Sequence, residues 1–509
     1  MRLYAAWAAF IFMWVYAFHN WYRAALFLVL TMAVVERQDF PRSVFGITGL
    51  ESWNILMACA VMSYVFHRSE PRAPMGKGIA FLVFFYLLAV IIASTRGITD
   101  LTGIWEFSEY LKSEPVTVRG VFIDDFVNTL KYVVPGVLVY LGCNSYERVK
   151  EAVWAIVLMN ILLALLVIKS MGFDALSSGS ELEQTAIRRL DRDTGYFRSD
   201  LAIFLAGASW AVFAFSRFIE HPLLRYGLMA GSVIVAVAIG LTGGRMGMGA
   251  WAVLGLVFGI LRWRQILIVA PVVALVLFAT VPAVQERLLQ GFGGESDGRH
   301  GAEAAPAPDG DVDLSSVTSG RVIIWPHVIE TIGEGPLIGY GRRAMQRIGL
   351  SMEMAVEYDK PFAHPHNAYL QLLLDNGLLL GGPILLFYIL ILKYSITMTR
   401  DTSRTLYPLV GSISLAFVLS FLVGGVAQQS FYPTISSVSM WVSIGLLLRV
   451  RAEHAWMAKA EEKEKRVPFG AAAARKPLAQ QPQPAAAPAR FSARTAAPRY
   501  QSWLAAETA

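Results

Sequence analysis

Charged residues and cysteines are both scarce in this sequence. Only 16% of the 509 residues are Asp, Glu, Lys or Arg, whereas about 25% is typical of a soluble domain. The two cysteines, Cys59 and Cys143, lie in or beside apolar segments and form neither a metal-ligand spacing nor a disulfide framework. These shortages exclude a water-soluble globular enzyme, a coiled coil and a secreted disulfide scaffold.

Several motifs of well-known enzyme classes are also missing. The sequence contains no Walker loop, no HExxH, no Cys/His cluster and no GxSxG. Asp124 and Asp125 are adjacent, but no third residue is spaced to complete a divalent-metal site with them. We therefore expect no cofactor and no metal, and nothing indicates nucleotide-driven chemistry or metal-assisted hydrolysis.

Long apolar runs dominate the sequence. Hydrophobic residues make up 55% of the chain, and its mean hydropathy is +0.49. The bilayer offers a backbone no hydrogen-bond partner, so such runs are predicted to cross the membrane as helices. They predict an all-α polytopic membrane protein with about 12 or 13 transmembrane helices, at residues 3–18, 24–35, 54–67, 78–95, 126–142, 152–169, 200–216, 223–241, 246–261, 265–283, 378–396, 406–424 and 432–448.

The positive charges predict how the chain is oriented. In a soluble protein a net charge of +6 would favour nucleic-acid binding, but here Lys and Arg concentrate in one alternating set of short loops and after the last span. That set is predicted to be cytoplasmic, and no nucleic-acid partner is expected. The opposite face, which is the periplasm for a bacterial inner membrane, then holds residues 36–53, 96–125, 170–199, 284–377 and 425–431.

The sequence divides into five parts, one of which is a large loop between spans. This loop begins with a Gly-, Ala- and Pro-rich stretch that is predicted to be mobile, and it continues with short helices from Arg321 onward. The parts are N-terminal transmembrane helices at 1–150, central transmembrane helices at 151–283, the large periplasmic loop at 284–377, C-terminal transmembrane helices at 378–449 and a disordered cytoplasmic tail at 450–509.

Three arginines share the predicted outer face. Arg245 stands in a link of a few residues between two spans, at a depth where an ionisable group is a functional candidate by default. Arg198 opens another span, and Arg321 opens an amphipathic helix in the loop. Each alone also fits a simpler interpretation, namely an interfacial Arg that reaches lipid phosphate or a surface ion pair. Together they favour a phosphate site, because a guanidinium binds two phosphate oxygens at once.

A second basic cluster lies close to Arg198 in the sequence. Arg188, Arg189 and Arg192 could add to the positive field at this face. Asp191 and Asp193 lie among them, which favours a local group of salt bridges instead.

A histidine pair precedes the span at 378–396. His366 is the candidate general base, because His is the side chain best suited to accept a proton near neutral pH. His364 competes for this role across Pro365, and Asn367 and Tyr369 are supporting candidates. His327, on the Arg321 helix, is expected to pack or to face water.

The motifs together resemble the O-antigen ligase and polymerase superfamily of integral-membrane glycosyltransferases. Members carry an Arg in a Gly-rich turn between spans, an R-x-x-x-W element, a P-L-x-G-x-G turn and then an H-N-x-Y-L-x-L-L-x-x-x-G-L-L-G-like segment. Here these are Gly244–Arg245, Arg321 with Trp325, Pro336–Gly341 and His366–Gly381, and the resemblance covers roughly residues 190–450.

One position departs from the ligase-type pattern. That pattern has Gly, Thr or Tyr three positions after the glycine that corresponds to Gly377, but this sequence has Leu380 there and Gly381 one place later. The departure leaves the choice between ligase and polymerase open.

The resemblance implies a GT-C-like helical fold, with 151–283 in its ligase/polymerase-like core and no metal. The donor would be a glycan on undecaprenyl pyrophosphate. Arg198, Arg245 and Arg321 would bind the pyrophosphate as a leaving group, and His366 would deprotonate an acceptor hydroxyl. Membrane lipids would surround the helices.

Three acceptors remain open: lipid A–core for a ligase, which we favour, a growing saccharide for a polymerase, and a protein hydroxyl for an oligosaccharyltransferase. A transporter is the main non-enzymatic alternative. It would favour charged residues in mid-span and repeated halves with broken helices, neither of which the sequence contains. A structural subunit of an envelope assembly would leave the Arg and His motifs unexplained.

Overall fold

The computed structural model describes most of the chain as helices. It covers residues 2–38, 49–67, 74–172, 179–280, 321–359, 361–427 and 431–465, together with residues 40, 44, 282, 285 and 286. The Gly-, Ala- and Pro-rich part of the large loop lies outside the described residues, and so does the tail after residue 465. The tail was predicted to be disordered over 450–509, but residues 450–465 belong to the helix Val438–Lys465, so the prediction was wrong for that part.

We name each helix by its first residue. The α-helices are Arg2–His19, Trp21–Thr31, Ser52–Phe66, Lys77–Thr99, Thr102–Tyr110, Val118–Val121, Asn128–Lys131, Val134–Gly142, Tyr146–Met171, Gly179–Thr194, Arg198–Ser216, Pro222–Leu241, Arg245–Leu261, Ile266–Thr280, Arg321–Glu334, Ala344–Arg347, Leu350–Tyr358, Ala368–Arg400, Leu406–Gly424 and Val438–Lys465. A π-helix spans Phe122–Val127 and a 3₁₀-helix spans Ile435–Ser437.

Seven helical segments within the described residues are long and apolar enough to cross a membrane, so the chain is a multi-pass all-α membrane protein, as predicted. They are Lys77–Thr99, Tyr146–Met171, Arg198–Ser216, Pro222–Leu241, Ala368–Arg400, Leu406–Gly424 and Ile435–Lys459. Seven is fewer than the predicted 12 or 13. Four other apolar runs coincide with helices of only 11 to 17 residues, the run at 265–283 corresponds to the 15-residue helix Ile266–Thr280, and the run at 126–142 is interrupted. At 1.5 Å of rise per residue, such helices are shorter than a bilayer core of about 30 Å.

The helix predicted at 126–142 is interrupted, and this prediction was wrong in detail. The chain forms a π-helix at Phe122–Val127, a short helical turn, and only then the helix Val134–Gly142. A π turn inserts an extra residue and changes the direction in which nearby side chains point. Asp125 consequently points inward, with 5% of its side chain exposed, whereas 61% of the Asp124 side chain is exposed. The apolar composition of this run does not reveal the change.

The Arg198 helix occupies the centre of the bundle. In its apolar part 83% of the residues are buried, and it packs against the Pro222, Arg245 and Leu406 helices. Close packing depends on small residues, since a Cβ on Gly247 would lie 2.5 Å from the Cβ of Ala202. Ala202 is one turn after Arg198, so this contact places the starts of the Arg198 and Arg245 helices side by side.

The described part of the large loop forms its own small core. The Arg321, Ala344 and Leu350 helices, which match the short helices predicted there, contribute buried side chains that meet the Ala368 helix at Leu374. The buried residues are Ile324, Val328, Ala344, Met345, Leu350, Met354 and Leu374. The loop is therefore fixed on the start of the Ala368 helix and forms one surface with it.

A glycine contact joins the loop to a break in the Ala368 helix. Gly377 has φ 62° inside this helix, and the freed carbonyls of Leu374 and Asp375 accept hydrogen bonds from Tyr340 N–H (2.9 Å) and Gly341 N–H (2.8 Å). A Cβ on Gly377 would lie 2.1 Å from the carbonyl oxygen of Leu337. The P-L-x-G-x-G turn thus supplies the hydrogen bonds that the helix loses at the break.

Candidate active site

Two helix starts bring Arg198 and Arg245 together. Gly243 has φ 65°, a left-handed conformation that glycine tolerates, and the turn it forms places Arg245 at the first position of its helix. Nη1 of Arg198 lies 3.9 Å from the point that a Cβ on Gly243 would occupy. Arg198 and Arg245 are both half-buried, at the end of the helix bundle that carries the large loop.

Arg321 is the third member of this group. It is half-buried at the start of the Arg321 helix, and its pKa is lowered by burial and then by the positive charge of Arg245. Such an effect requires the two guanidinium groups to lie within electrostatic range of each other. The structure therefore brings together the three arginines that the sequence singled out.

The position of these arginines in their helices is unusual. Each is the first residue of its helix as described, where unpaired backbone N–H groups and the helix dipole favour an anion and disfavour a cation. Several positive charges gathered at helix N-termini repel one another and the dipoles. An anionic ligand removes this repulsion, so the arrangement is suited to binding phosphate.

The R-x-x-x-W spacing connects Arg321 to the histidines. Trp325 stands one turn after Arg321, on the same side of the helix. Its indole Nε1–H donates a hydrogen bond of 3.0 Å to the carbonyl of Pro365. Because Pro365 separates His364 and His366, this bond fixes the histidine segment beside Arg321.

His364 and His366 lie against each other. Their ring centroids are 4.0 Å apart, and the backbone N–H of His366 donates to Nδ1 of His364 at 3.3 Å. His366 has φ 50°, a left-handed conformation that is uncommon for a residue with a side chain. Strain of this kind is typical of functional sites, where the surrounding structure holds it in place.

Burial and positive charge keep both imidazoles neutral. Burial, with a further contribution from the charge of Arg321, lowers the pKa of His366 to about 4. Burial, His366 and Arg321 together lower the pKa of His364 to about 3. At neutral pH both rings are therefore unprotonated and able to accept a proton.

Asn367 and Tyr369 hold the start of the Ala368 helix in place. The Asn367 side-chain oxygen accepts hydrogen bonds from the N–H groups of Tyr369 (3.0 Å) and Leu370 (3.2 Å), which makes it the N-cap. The hydroxyl of Tyr369 donates to the carbonyl of Leu422 at 2.7 Å. These contacts hold the segment that carries His366.

The second basic cluster forms local contacts. Arg192 pairs with Asp193 at 2.8 Å, and Arg189 donates to the carbonyl of Ser170 at 3.2 Å. The salt-bridge interpretation therefore fits Arg192 better than a part in the phosphate site.

His327 packs, which agrees with one of the two environments expected for it. Its ring centroid lies 5.5 Å from that of Tyr358 in a tilted arrangement. This contact places half-buried His327 beside Tyr358, which packs against the core of the loop.

Sequence reasoning missed an ion-pair network beside the site. Asp125, considered as a metal ligand, instead pairs with Arg343 (Nε to Oδ2, 2.8 Å) and Arg342 (Nη2 to Oδ1, 3.5 Å). Arg198 pairs with Glu183 (Nη2 to Oε1, 2.6 Å), which agrees with the ion pair given above as the simpler interpretation of this arginine. The sequence contains two adjacent arginines directly after the P-L-x-G-x-G turn and two adjacent aspartates. Nothing in it indicates that they pair, because the two groups are far apart in the sequence.

A comparison with protein families matches a segment that includes part of this candidate site. Residues 230–385 match a family described as O-antigen ligase, whereas a search among curated proteins finds no match to the chain. The matching segment contains Arg245, Arg321, His364 and His366, and Arg198 precedes it. The resemblance to the O-antigen ligase and polymerase superfamily is therefore confirmed, and the match supports an enzyme of ligase or polymerase type.

Proposed function

We propose that this chain, which carries an O-antigen ligase-type segment at 230–385, transfers a glycan from undecaprenyl pyrophosphate to an acceptor hydroxyl. The observation that carries the proposal is the convergence of Arg198, Arg245 and Arg321 beside a neutral histidine pair. We favour lipid A–core as the acceptor, which makes the chain a ligase that acts in the synthesis of cell-surface polysaccharide.

The three arginines bind the pyrophosphate of the donor. Each guanidinium can donate two parallel N–H bonds to phosphate oxygens. Negative charge grows on the pyrophosphate as its bond to the sugar breaks, and donors already in place stabilise that charge without reorganising. The arginines therefore contribute more to the transition state than to the bound donor, which is the condition for catalysis.

His366 acts as the general base. A ring nitrogen accepts the proton of the acceptor hydroxyl while the hydroxyl oxygen forms a bond to the anomeric carbon. The bond between this carbon and the pyrophosphate oxygen breaks, and its electron pair leaves with the undecaprenyl pyrophosphate. His364 supports His366, because its Nδ1 accepts the His366 backbone N–H and holds the strained conformation.

Donor binding increases the basicity of His366. In the donor-free protein the charge of Arg321 helps to lower the pKa of His366 to about 4. A pyrophosphate on Arg321 offsets that charge, so the pKa of His366 rises toward its ordinary value and the ring becomes a stronger base. His366 is then most effective as a base when the donor is in place.

The site faces the periplasm of a bacterial inner membrane in this proposal, because Lys and Arg are concentrated in the loops of the other face. Alkaline-phosphatase fusions test this orientation. A fusion near residue 350 should be active and one near residue 455 inactive. The reverse result would contradict the orientation.

The glycans of a deletion strain identify the acceptor. Loss of surface polymer from core lipid supports the ligase, unpolymerised single repeats indicate a polymerase, and loss of protein glycosylation indicates an oligosaccharyltransferase. No change in any glycan would reject glycosyl transfer and favour a transporter or a structural subunit.

Purified full-length protein with a radiolabelled undecaprenyl-pyrophosphate-linked glycan, the acceptor and a chelator provides the direct assay. Transfer that persists in the chelator supports a reaction that needs no divalent metal. Transfer that the chelator stops and added metal restores would contradict this part of the proposal.

A further inference from the structure

The Gly179 helix carries an acidic residue to Arg198. This amphipathic helix buries one stripe of side chains, formed by Leu182, Ala186 and Leu190, and leaves most of its other residues at the surface. Glu183 follows the first residue of the stripe and is half-buried. Its Oε1 accepts a hydrogen bond of 2.6 Å from Nη2 of Arg198.

The other terminal nitrogen of Arg198 is in a different situation. Nη1 is buried and has no hydrogen-bond partner among the described residues. A charged donor that is buried and unpaired is unfavourable, so this nitrogen is expected to bind an acceptor. Nη1 lies beside Gly243, in the turn that leads to Arg245, and therefore on the side where the proposed pyrophosphate site is located.

We propose that Glu183 is a positioning residue for the donor: it holds Nη2 of Arg198 so that Nη1 is presented to the pyrophosphate at the Gly243–Arg245 turn. This inference rests on the proposed function, and it assigns a role to a residue outside the segment that matches the family.

Two physical arguments support positioning. The Arg side chain has many rotamers, and fixing one of them before the ligand arrives reduces the entropy lost on binding. Glu183 also adds a negative charge to a group of three arginines, which offsets their mutual repulsion in the donor-free protein. Because Glu183 contacts Nη2 and the turn lies at Nη1, the carboxylate and a phosphate can bind the same guanidinium together.

The opposite arrangement is a carboxylate that competes with phosphate for Arg198. The two arrangements predict opposite changes in donor affinity when Glu183 is replaced. Removing a positioning residue weakens donor binding, whereas removing a competitor strengthens it. A substitution at Glu183 therefore distinguishes them.

The test uses detergent-purified full-length protein and two readouts, the KM for the lipid-linked donor and the Kd for undecaprenyl pyrophosphate. We expect Glu183→Ala to raise both constants about tenfold, the effect of weakening one charge-assisted contact, with a smaller change in kcat. Glu183→Gln keeps an oxygen acceptor for Nη2 and should lie between Ala and the native residue. Asp191→Ala is the matched control, because Asp191 is an exposed acid on the same helix.

A double variant separates positioning from a merely structural role. If Glu183 acts through Arg198, Glu183→Ala should not weaken undecaprenyl pyrophosphate binding further once Arg198→Ala is present. Unchanged or tighter binding in Glu183→Ala, or an undiminished effect in the Arg198→Ala background, would overturn the inference.

Failure of the proposed function gives a different pattern. Native protein that binds undecaprenyl pyrophosphate but transfers no glycan would reject the proposed reaction and leave the Glu183 test valid. Native protein that does not bind undecaprenyl pyrophosphate would reject both.

Discussion

At the residue scale, the proposed function depends on guanidinium groups and not on positive charge alone. Arg245 and Arg321 each offer a planar fork of N–H donors, whereas a lysine offers a single point charge. Both arginines are half-buried at helix starts, where a positive charge is unfavourable without a ligand. The planar arrangement of their N–H donors therefore matters more than their charge alone.

We expect Arg245→Ala and Arg321→Ala each to abolish measurable transfer while the protein remains in the membrane. The loss should be about 2–4 kcal/mol of transition-state stabilisation, by analogy with oxyanion donors, and Arg→Lys should also be poorly tolerated. Transfer by purified variants measures the effect. Arg192→Ala is the control, since Arg192 pairs with Asp193 at the surface. Near-native activity in both alanine variants would reject the arginine site.

We expect His366→Ala to lower the rate of transfer about a hundredfold or more while donor binding is retained, because only the proton transfer is lost. His364→Ala should have a smaller effect, since His364 supports His366 through one hydrogen bond. Single-turnover transfer measures the chemical step, and a separate binding measurement shows whether the donor is still bound. A defect confined to His364→Ala would move the base by two residues, and native rates in both variants would show that neither is the base.

The proposed role of His366 as the base, together with its lowered pKa, predicts how transfer depends on pH. The imidazole is protonated, and therefore inactive as a base, only below a pKa of about 4 in the donor-free protein. We expect kcat/KM to fall as the pH decreases through this region, well below the ordinary histidine value near 6.5. A fall in kcat/KM centred near pH 6.5 would show that the site does not lower this pKa.

At the scale of elements, the break in the Ala368 helix is the feature that joins membrane helix and loop. Gly377 and Gly339 approach so closely that a Cβ on Gly339 would lie 2.4 Å from the nitrogen of Gly377. The backbone of the loop turn thereby reaches the carbonyls that the helix leaves unpaired. The break thus places the loop, and with it Arg321, over the start of the Ala368 helix.

We expect Gly377→Ala to destabilise the protein by about 1–3 kcal/mol or more, because a new Cβ meets backbone atoms and the residue has a positive φ. Gly382→Ala is the matched control on the same helix, since its Cβ would have no neighbour within 4 Å. Thermal unfolding in detergent should show a lower Tm for the first variant and little change for the second. Equal Tm values would contradict the close contact.

At the scale of the whole molecule, Asp125 connects the N-terminal part of the chain to the loop. The π-helix turns its carboxylate inward to Arg342 and Arg343, and its backbone carbonyl accepts a hydrogen bond from Ser94 at 2.9 Å. Arg342 also lies over the ring of Tyr432, 3.7 Å from its centroid. One buried carboxylate thus holds the loop to helices that are separated from it by about two hundred residues.

We expect Asp125→Ala to destabilise the protein by about 3 kcal/mol or more, because two largely buried guanidinium groups lose their shared partner. Limited proteolysis should cut the loop faster, and transfer should fall as Arg321 moves. Asp124→Ala is the matched control, because Asp124 is exposed and reaches Arg343 only at 3.9 Å. Equal cleavage rates in both variants would contradict the connection.

The sequence by itself determined the class of the protein and most residues of its candidate site. Apolar runs report membrane helices because bilayer thickness and backbone hydrogen bonding leave few other structures. Arg245 stood out because an ionisable group is rare at its predicted membrane depth. Arg321 and His366 stood out because they share the same predicted face with it. The sequence did not reveal the π-helix at Phe122–Val127, because a single wider turn inside an apolar run leaves the run's composition unchanged.

Only the tertiary structure decided which charges meet. Asp125 pairs with Arg343 across 218 residues, and Glu183 pairs with Arg198 from another helix. Nothing in the sequence distinguishes Gly339 from other turn glycines or Gly377 from other helix glycines, and only the structure shows that their backbones are in contact. Hydrophobic patterns repeat locally and so reveal helices, whereas an ion pair or a close backbone contact depends on how distant helices pack, which no local pattern records.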